Sequence, residues 1–162
     1  MSSGWAPDVE RVAVFLRTAG AEARIEEVAA GTATAAEAAD AIGSTLGQIV
    51  KTLALVADST PLVALVPGDR RIDTGKVAKL MGARRVRIAD AETVVALTGF
   101  APGGVAPFPL PNVSEVLVER RLLRHAIVWA GAGSSTHLVR LAPLELVRLT
   151  AGRVEDLVVE SA

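Results

Sequence analysis

The chain has 162 residues, of which 51% are hydrophobic, and a formal net charge of −1. This length suits one domain with a sizeable core, so we expect a single domain over residues 1–162. The near-neutral charge excludes a strongly basic protein that coats nucleic acid. The lack of cysteine excludes disulfides, thiolate zinc sites and cysteine nucleophiles. With two histidines in the chain, we expect neither a metal site nor a cofactor.

The start of the chain lacks the basic residues and apolar run of a signal peptide. No apolar run is long enough to cross a membrane. We therefore expect a soluble, cytoplasmic protein without a membrane partner.

The first third of the chain carries clear helix signals. Apolar residues at helical spacing predict a helix over residues 9–19, and a short strand is predicted over 21–28. Thr34 and Glu37 have the spacing of a capping box, which predicts a helix that ends at Gly43.

A hairpin and a short helix are predicted next. The apolar, partly β-branched run over 49–57 predicts a buried strand, and the turn that follows it leads to a partner strand over 61–66. Asp73 is placed to cap a helix that continues to Met81.

The middle of the chain continues this alternation of strands and helices. Residues 85–88 alternate as in a half-buried strand, and Asp90 is placed to cap a helix that stops near Gly99. After a loop rich in glycine and proline, strands are predicted over 113–118, 127–130 and 137–141. Pro143 suits the first turn of a last helix that runs to Leu149.

Several of the predicted strand connections are too short to be helical crossovers. That favours an α+β fold with a central mixed, largely antiparallel β-sheet flanked by helices over a doubly wound parallel sheet.

The loop over 99–111 is the most unusual segment. It is too rich in glycine and proline for a helix or strand, and too apolar for an ordinary solvated connection. Prolines stiffen it, while Gly103 and Gly104 leave a stretch of main chain without side chains. A ligand could approach the backbone there, so we expect a binding role.

Lys51 stands inside an apolar segment, in a chain with only three lysines. Removing an ammonium group from water is costly, which favours an anionic partner such as a phosphate or carboxylate. The alternative is a lysine at a strand end whose ammonium reaches solvent. The sequence leaves both interpretations open.

Basic residues are concentrated over 69–87, where seven cationic side chains face two acidic ones. In a near-neutral protein this asymmetry suggests a face for a phosphate backbone. A solvated arginine-rich surface is the simpler alternative. The arginines of the proposed face are Arg70, Arg71, Arg84, Arg85 and Arg87.

A second glycine segment follows Trp129, and its successive N–H groups could form an anion-binding nest. It lacks the full dinucleotide fingerprint. The hydroxyls over 134–136 are poor candidates for a nucleophile because the sequence shows no base–acid pair to activate them. His137 is suited to donate a hydrogen bond in a pocket or to a structural role.

Taken together, these blocks resemble the YbaK/prolyl-tRNA-synthetase-associated domain family of aminoacyl-tRNA editing domains, over residues 30–155. The blocks are Glu37–Gly43, Gln48–Leu53, Val63–Asp69, Lys76–Ala78, Thr98–Phe100, Gly103–Pro107, Trp129–Gly131, Thr136–His137 and Leu144–Thr150. The lysine block combined with the Gly-Gly-Val-x-Pro loop is the most specific part.

The resemblance implies a fold with a crevice between the sheet and the loops. It also implies hydrolysis of the ester between an amino acid and the 3′-terminal adenosine of mischarged tRNA, often tRNA for proline. Family members use neither a protein nucleophile nor a metal, and the terminal ribose hydroxyl helps to position or activate the water.

The resemblance also assigns roles to individual residues. Lys51 would hold the terminal adenosine's phosphate or orient the ester, and the N–H groups of Gly103 and Gly104 would bind the ester carbonyl and its developing oxyanion. Other residues are expected to bind the substrate or shape its pocket: Thr52, Phe100, Val105, Pro107, Gly131 and His137. Phe108 and Ile25 are further candidates for setting the pocket's size.

The expected substrate is aminoacyl-tRNA, and prolyl-tRNA synthetase is a candidate partner. The alternative from another functional class is a non-catalytic module that binds a tRNA 3′ end, a nucleotide or a synthetase in the same crevice.

Overall fold

The computed structural model describes residues 4–29 and 34–160. Within them the helices are α1 (Pro7–Thr18), α2 (Ala35–Ile42), α3 (Thr74–Met81), α4 (Ala91–Thr98) and α5 (Pro143–Thr150). The strands are β1 (Ala23–Glu27), β2 (Ile49–Ala57), β3 (Thr60–Pro67), β4 (Val86–Ile88), β5 (Val116–Glu119), β6 (Val128–Gly131), β7 (His137–Leu141) and β8 (Arg153–Glu155). Short 3₁₀ turns cover Leu46–Gln48 and Arg120–Arg124.

One mixed sheet contains all eight described strands, in the order β1-β7-β6-β2-β3-β5-β8, and β4 adds to β2. Of its seven described strand pairs, four are antiparallel and three are parallel. The predicted α+β fold with a mixed sheet is confirmed. Within the described residues, every helix is too short or too polar to cross a membrane.

The helices begin and end where local chemistry dictates. The side chains of Thr34, Asp73 and Asp90 accept hydrogen bonds from N–H groups in the first turns of α2, α3 and α4. Glycines in the left-handed conformation follow the same three helices. These caps are the ones that the sequence predicts.

The sheet is covered on both faces. On one face α1 and α5 pack on a cluster that includes Val12, Phe100, Phe108 and Leu146. On the other face α3 and α2 bury separate clusters around Val77 and Ala38. Because side chains alternate along a strand, neighbouring residues of β2 belong to opposite faces.

Three elements differ from the sequence-based expectation. The half-buried strand over 85–88 is an edge strand in which Val86 is buried but Ile88 is 59% exposed. The strand expected from residue 113 begins at Val116, because Val113 closes a turn with Leu110. Strand β8 was not predicted, since its three residues carry little apolar signal.

Candidate functional site

A pocket of about 370 Å³ lies where α2, the sheet and the glycine-proline loop meet. Its polar groups come from Thr34, Lys51 and Thr52, and the rest of its wall is main chain and aliphatic side chains. The remaining lining residues are Ala35, Ala38, Ile49, Val50, Leu53, Gly103, Val105, Gly131 and Leu138. The structure thus brings together five predicted site residues: Lys51, Thr52, Gly103, Val105 and Gly131.

A gap in the pairing of β2 creates this pocket. One edge of β2 pairs with β3 along most of its length, whereas the other edge pairs with β6 only at Ile49 and Val50 and with β4 only at 55–57. Ala54 O accepts a hydrogen bond from Ala89 N–H on that second edge. By alternation, the main-chain N–H and C=O of Thr52 also face this edge, where no described strand pairs with them.

The glycine-proline loop packs against the second glycine segment. Gly133 N–H donates to Gly104 O at 2.9 Å. A Cβ at Gly104 would lie 2.9 Å from the Ser134 backbone, and a Cβ at Gly131 would collide with Val105 O. Side chains are therefore excluded at both glycines, and the two backbones support each other.

The two amides predicted to bind the ester oxygen differ in availability. Gly104 N–H donates to Ala101 O at 3.1 Å and closes a turn. Gly103 N–H makes no hydrogen bond to any residue in 4–29 or 34–160. Gly103 lines the pocket and Gly104 does not. Of the two predicted donors, Gly103 N–H is therefore the one that has no partner among the described residues.

The Lys51 side chain is half-buried in the pocket wall. Its Nζ donates to the main-chain carbonyl of Arg70 at 2.7 Å. Burial lowers the pKa of Lys51, and the nearby Asp69 carboxylate opposes that shift. The ammonium is therefore held in place at the pocket rather than extended into solvent from a strand end.

The Thr52 side chain follows the same strand but lies on the opposite face from Lys51. Its Oγ1 is buried and has no hydrogen-bond partner among the described residues. The contribution of Thr52 to the pocket is therefore its main chain at the open edge of β2.

Phe100 and Pro107, both predicted to bind the substrate or shape its pocket, are not among the residues that line the pocket. Phe100 is fully buried beneath α1, where the Arg11 guanidinium lies 4.1 Å from the centre of its ring. Pro107 lines a separate cavity between α1 and α5. Phe108 stacks on Phe15 of α1, with ring centroids 5.2 Å apart, and so it also belongs to the core. Gly103 and Val105 of the glycine-proline loop therefore line the pocket, whereas Phe100 and Phe108 of the same loop belong to the core.

His137 also lies away from the pocket. Leu138 lines the pocket, so the side chain of its strand neighbour His137 points to the opposite face. Its Nδ1 lies 2.6 Å from Ser134 Oγ, and its Nε2 lies 3.2 Å from Glu27 Oε2. A base–acid pair therefore does accompany Ser134, which the sequence did not reveal because Glu27 comes from β1.

The predicted basic face is divided between the two ends of β2. Arg70 and Arg71 follow β3 at the Lys51 end. Arg84, Arg85 and Arg87 lie at the other end, where Arg85 O accepts from Asp58 N–H. Six residues of strand separate Lys51 from that end, which corresponds to about 20 Å. The five arginines do not form one cluster around the pocket.

Sequence reasoning missed several pocket residues. Ala38 and Leu138 carry only an apolar signal, which does not distinguish a pocket wall from a core. The sequence predicts Thr34 only as a helix cap. It does cap α2, and it also lines the pocket. Across the described ranges, histidine and carboxylate side chains do not gather in a group that could hold a metal ion.

Comparison with known proteins places this pocket in a family. The model of the aminoacyl-tRNA editing domain matches residues 29–149, which include every residue that lines the pocket. The chain belongs to the aminoacyl-tRNA editing domain family. The resemblance that the sequence motifs suggested is thus confirmed.

Relatives of this editing domain include both free-standing proteins and synthetases. The chain is 28% identical over 125 residues to EbsC of Enterococcus faecalis, named as a proposed Cys-tRNA(Pro)/Cys-tRNA(Cys) deacylase, and the match covers 76% of each chain. It is 36% identical over 138 residues to a proline–tRNA ligase of Nitratidesulfovibrio vulgaris, which covers 83% of this chain and 24% of the ligase.

A solved structure is also similar along nearly the whole editing domain. It is described as a proposed trans-editing enzyme for prolyl-tRNA synthetase, with a TM-score of 0.90 and 39% sequence identity. The match covers 97% of this chain and 100% of that one. The fold assignment therefore does not depend on short motifs.

Proposed function

We propose that this editing domain is a trans-acting aminoacyl-tRNA deacylase that hydrolyses the ester of mischarged tRNA, with tRNA for proline as the expected carrier. One observation carries the proposal: Lys51 lines the same pocket as Gly103, whose N–H has no partner among the described residues, beside the open edge of β2. The names of EbsC and of the solved trans-editing relative support the same reaction.

In the proposed reaction, water adds to the ester carbonyl carbon, and the bond from that carbon to the ribose oxygen then breaks. The proton lost by the water ends on the ribose oxygen, so tRNA and free amino acid are released. Gly103 N–H donates to the carbonyl oxygen as negative charge develops on it. The terminal ribose hydroxyl positions the water, as the family resemblance implies.

Lys51 supplies positive charge at the mouth of the reaction site. Its ammonium is fixed by Arg70 O, so little conformational freedom is lost when it binds the terminal phosphate or orients the ester. The main chain of Thr52 offers a further donor and acceptor along the same edge. Orientation and main-chain hydrogen bonds thus provide most of the acceleration.

The aliphatic part of the pocket would receive the amino-acid side chain. Ala38, Leu53, Val105 and Leu138 form this wall, and the main chain of Val105 lies so close to Gly131 that no side chain fits there. This small apolar lining favours a small amino acid over a large or charged one.

Contact with the tRNA body is proposed for Arg70 and Arg71, which lie at the pocket end of β2. Arg84, Arg85 and Arg87 remain candidates only for a more distant contact. Prolyl-tRNA synthetase is proposed as a partner that delivers the mischarged tRNA, on the basis of the ligase relative.

The test is amino-acid release from a panel of mischarged tRNAs that includes cysteinyl-tRNA(Pro). The rate should increase in proportion to protein concentration for at least one small residue. Saturable tRNA binding without hydrolysis would instead favour the non-catalytic binding module.

A further inference from the structure

A chain of hydrogen bonds links β1 to the glycine segment behind the pocket. Glu27 Oε2 lies 3.2 Å from His137 Nε2, and Ser134 Oγ lies 2.6 Å from His137 Nδ1. The His137 side chain is buried, and the Trp5 ring meets it edge-on at 5.9 Å between centroids. Each nitrogen of the imidazole ring therefore has a hydrogen-bond partner, and together the two partners fix the orientation of the ring.

The two hydrogen-bond partners of His137 determine which ring nitrogen carries the hydrogen when the imidazole is neutral. An ionised carboxylate only accepts hydrogen bonds, so Nε2–H donates to Glu27 and Nδ1 is the acceptor. The Ser134 hydroxyl, which at 2.6 Å is the nearer partner, then donates to Nδ1, and Thr136 Oγ1 lies 3.3 Å from both. The Ser134 oxygen also accepts from Thr136 N–H at 3.1 Å. This hydroxyl is committed to local contacts on the face of the sheet away from the pocket.

The Ser134 backbone also packs directly against Gly104. The close approach leaves no room for a Cβ at Gly104, and Gly133 N–H donates to Gly104 O. Gly104 N–H in turn closes the turn that contains Gly103. A shift of Ser134 would therefore move Gly103, whose N–H has no hydrogen-bond partner among the described residues.

The geometry points to His137 as a positioning residue. It holds Ser134 through Nδ1, and the Ser134 backbone supports the turn that contains Gly103, so His137 acts on the pocket without touching the substrate. The inference rests on the proposed deacylase function and replaces the expected role of His137 in substrate binding. Displacements on the scale of 1 Å are enough to lower a rate about a hundredfold.

Two substitutions of His137 test separately the contact of Nδ1 with Ser134 and the contact of Nε2 with Glu27. His137→Asn places an amide near the position of Nδ1 and can retain the Ser134 contact, whereas His137→Gln reaches toward Glu27 and loses it. We expect kcat to fall by about tenfold to a hundredfold in His137→Gln with KM nearly unchanged. His137→Asn should stay close to the wild-type rate. Equal loss in both variants, or a rise in KM alone, would overturn the inference.

A second measurement does not depend on activity. Amide hydrogen exchange at Gly104 and Gly133 should accelerate in His137→Gln and in Ser134→Ala, but not in His137→Asn. Exchange in β3 serves as the internal reference for folding. Unchanged exchange in Ser134→Ala overturns the positioning role even if the wild type deacylates tRNA.

The carboxylate end of the chain of hydrogen bonds has a matched control. Glu27→Gln removes the charge that orients the ring, while Glu26→Gln alters the neighbouring carboxylate, which pairs with Arg24 instead. Faster exchange at Gly133 is expected only for Glu27→Gln, and equal effects of the two substitutions would contradict the inference. If the wild type is inactive but shows this exchange pattern, the deacylase proposal is rejected. The coupling of His137 and Ser134 to the glycine-proline loop is then still supported.

Discussion

The Lys51 ammonium donates a 2.7 Å hydrogen bond to the main-chain carbonyl of Arg70. This bond joins the third residue of β2 to the loop after β3, and it holds in place the half-buried side chain of a residue that lines the pocket. A lysine in an apolar strand is costly unless its charge is used or compensated. The hydrogen bond to Arg70 O and the nearby Asp69 carboxylate compensate part of this cost.

Replacing Lys51 with methionine should separate activity from stability. The thioether keeps the apolar stem and removes the charge, so the free energy of unfolding should change by less than about 1 kcal/mol. Deacylation should fall about a hundredfold. Thermal unfolding and initial rates measure the two effects. Lys79→Met, at an exposed position on α3, is the matched control and should keep full activity.

The pH dependence of activity should report the Lys51 ammonium. Burial lowers the pKa of Lys51 from 10.5, so activity should decline at a pH where an exposed lysine is still charged. Between the lowered pKa and 10.5 the unfolded chain binds more protons, so the contribution of Lys51 to stability rises with pH. Activity that declines while stability is maintained, after subtraction of spontaneous ester hydrolysis, is the expected result. Activity that follows unfolding would contradict it.

Replacing Thr52 with valine should stabilise the protein without harming catalysis. The buried Oγ1 has no partner among the described residues, and an apolar group of similar shape removes its desolvation cost, about 1 kcal/mol. Because Thr52 faces the pocket through its main chain, kcat/KM should stay within about twofold. A large loss of activity with a normal melting temperature would show that the hydroxyl contacts the substrate.

The two halves of the basic segment should contribute unequally to tRNA binding. Arg71→Ala should weaken binding and reduce the slope of log affinity against log salt by about 1. Arg85→Ala, at an equally exposed arginine about 20 Å along β2, should have a smaller effect. Filter binding over a salt series measures both variants, and equal effects would restore the single basic face.

Local signals made much of the fold predictable from the sequence. Caps such as Asp73 and Asp90 act within a few residues, and the apolar run of β2 needs no partner to be recognised. The weakly apolar β8 depends on β5 for its pairing, and so the sequence did not reveal it.

The candidate site was predictable only in part, because its composition depends on which face each residue occupies. Lys51 and Gly103 were identified by unusual chemistry at unusual positions. The family resemblance assigns Phe100 and His137 to substrate binding, but Phe100 lies in the core and the side chain of His137 faces away from the pocket. Leu138 lines the pocket one residue away from His137, and only the strand register decides between them.

Single-turnover deacylation is the most direct test of the central claim. Cysteinyl-tRNA(Pro) and other small-residue mischarged tRNAs would be mixed with excess wild-type protein, Lys51→Met or Lys79→Met, and release of the amino acid followed. Rapid hydrolysis by the wild type and Lys79→Met, with loss in a folded Lys51→Met protein, is the predicted result. No hydrolysis of any such tRNA by the wild type, or an unchanged rate in Lys51→Met, would contradict the claim.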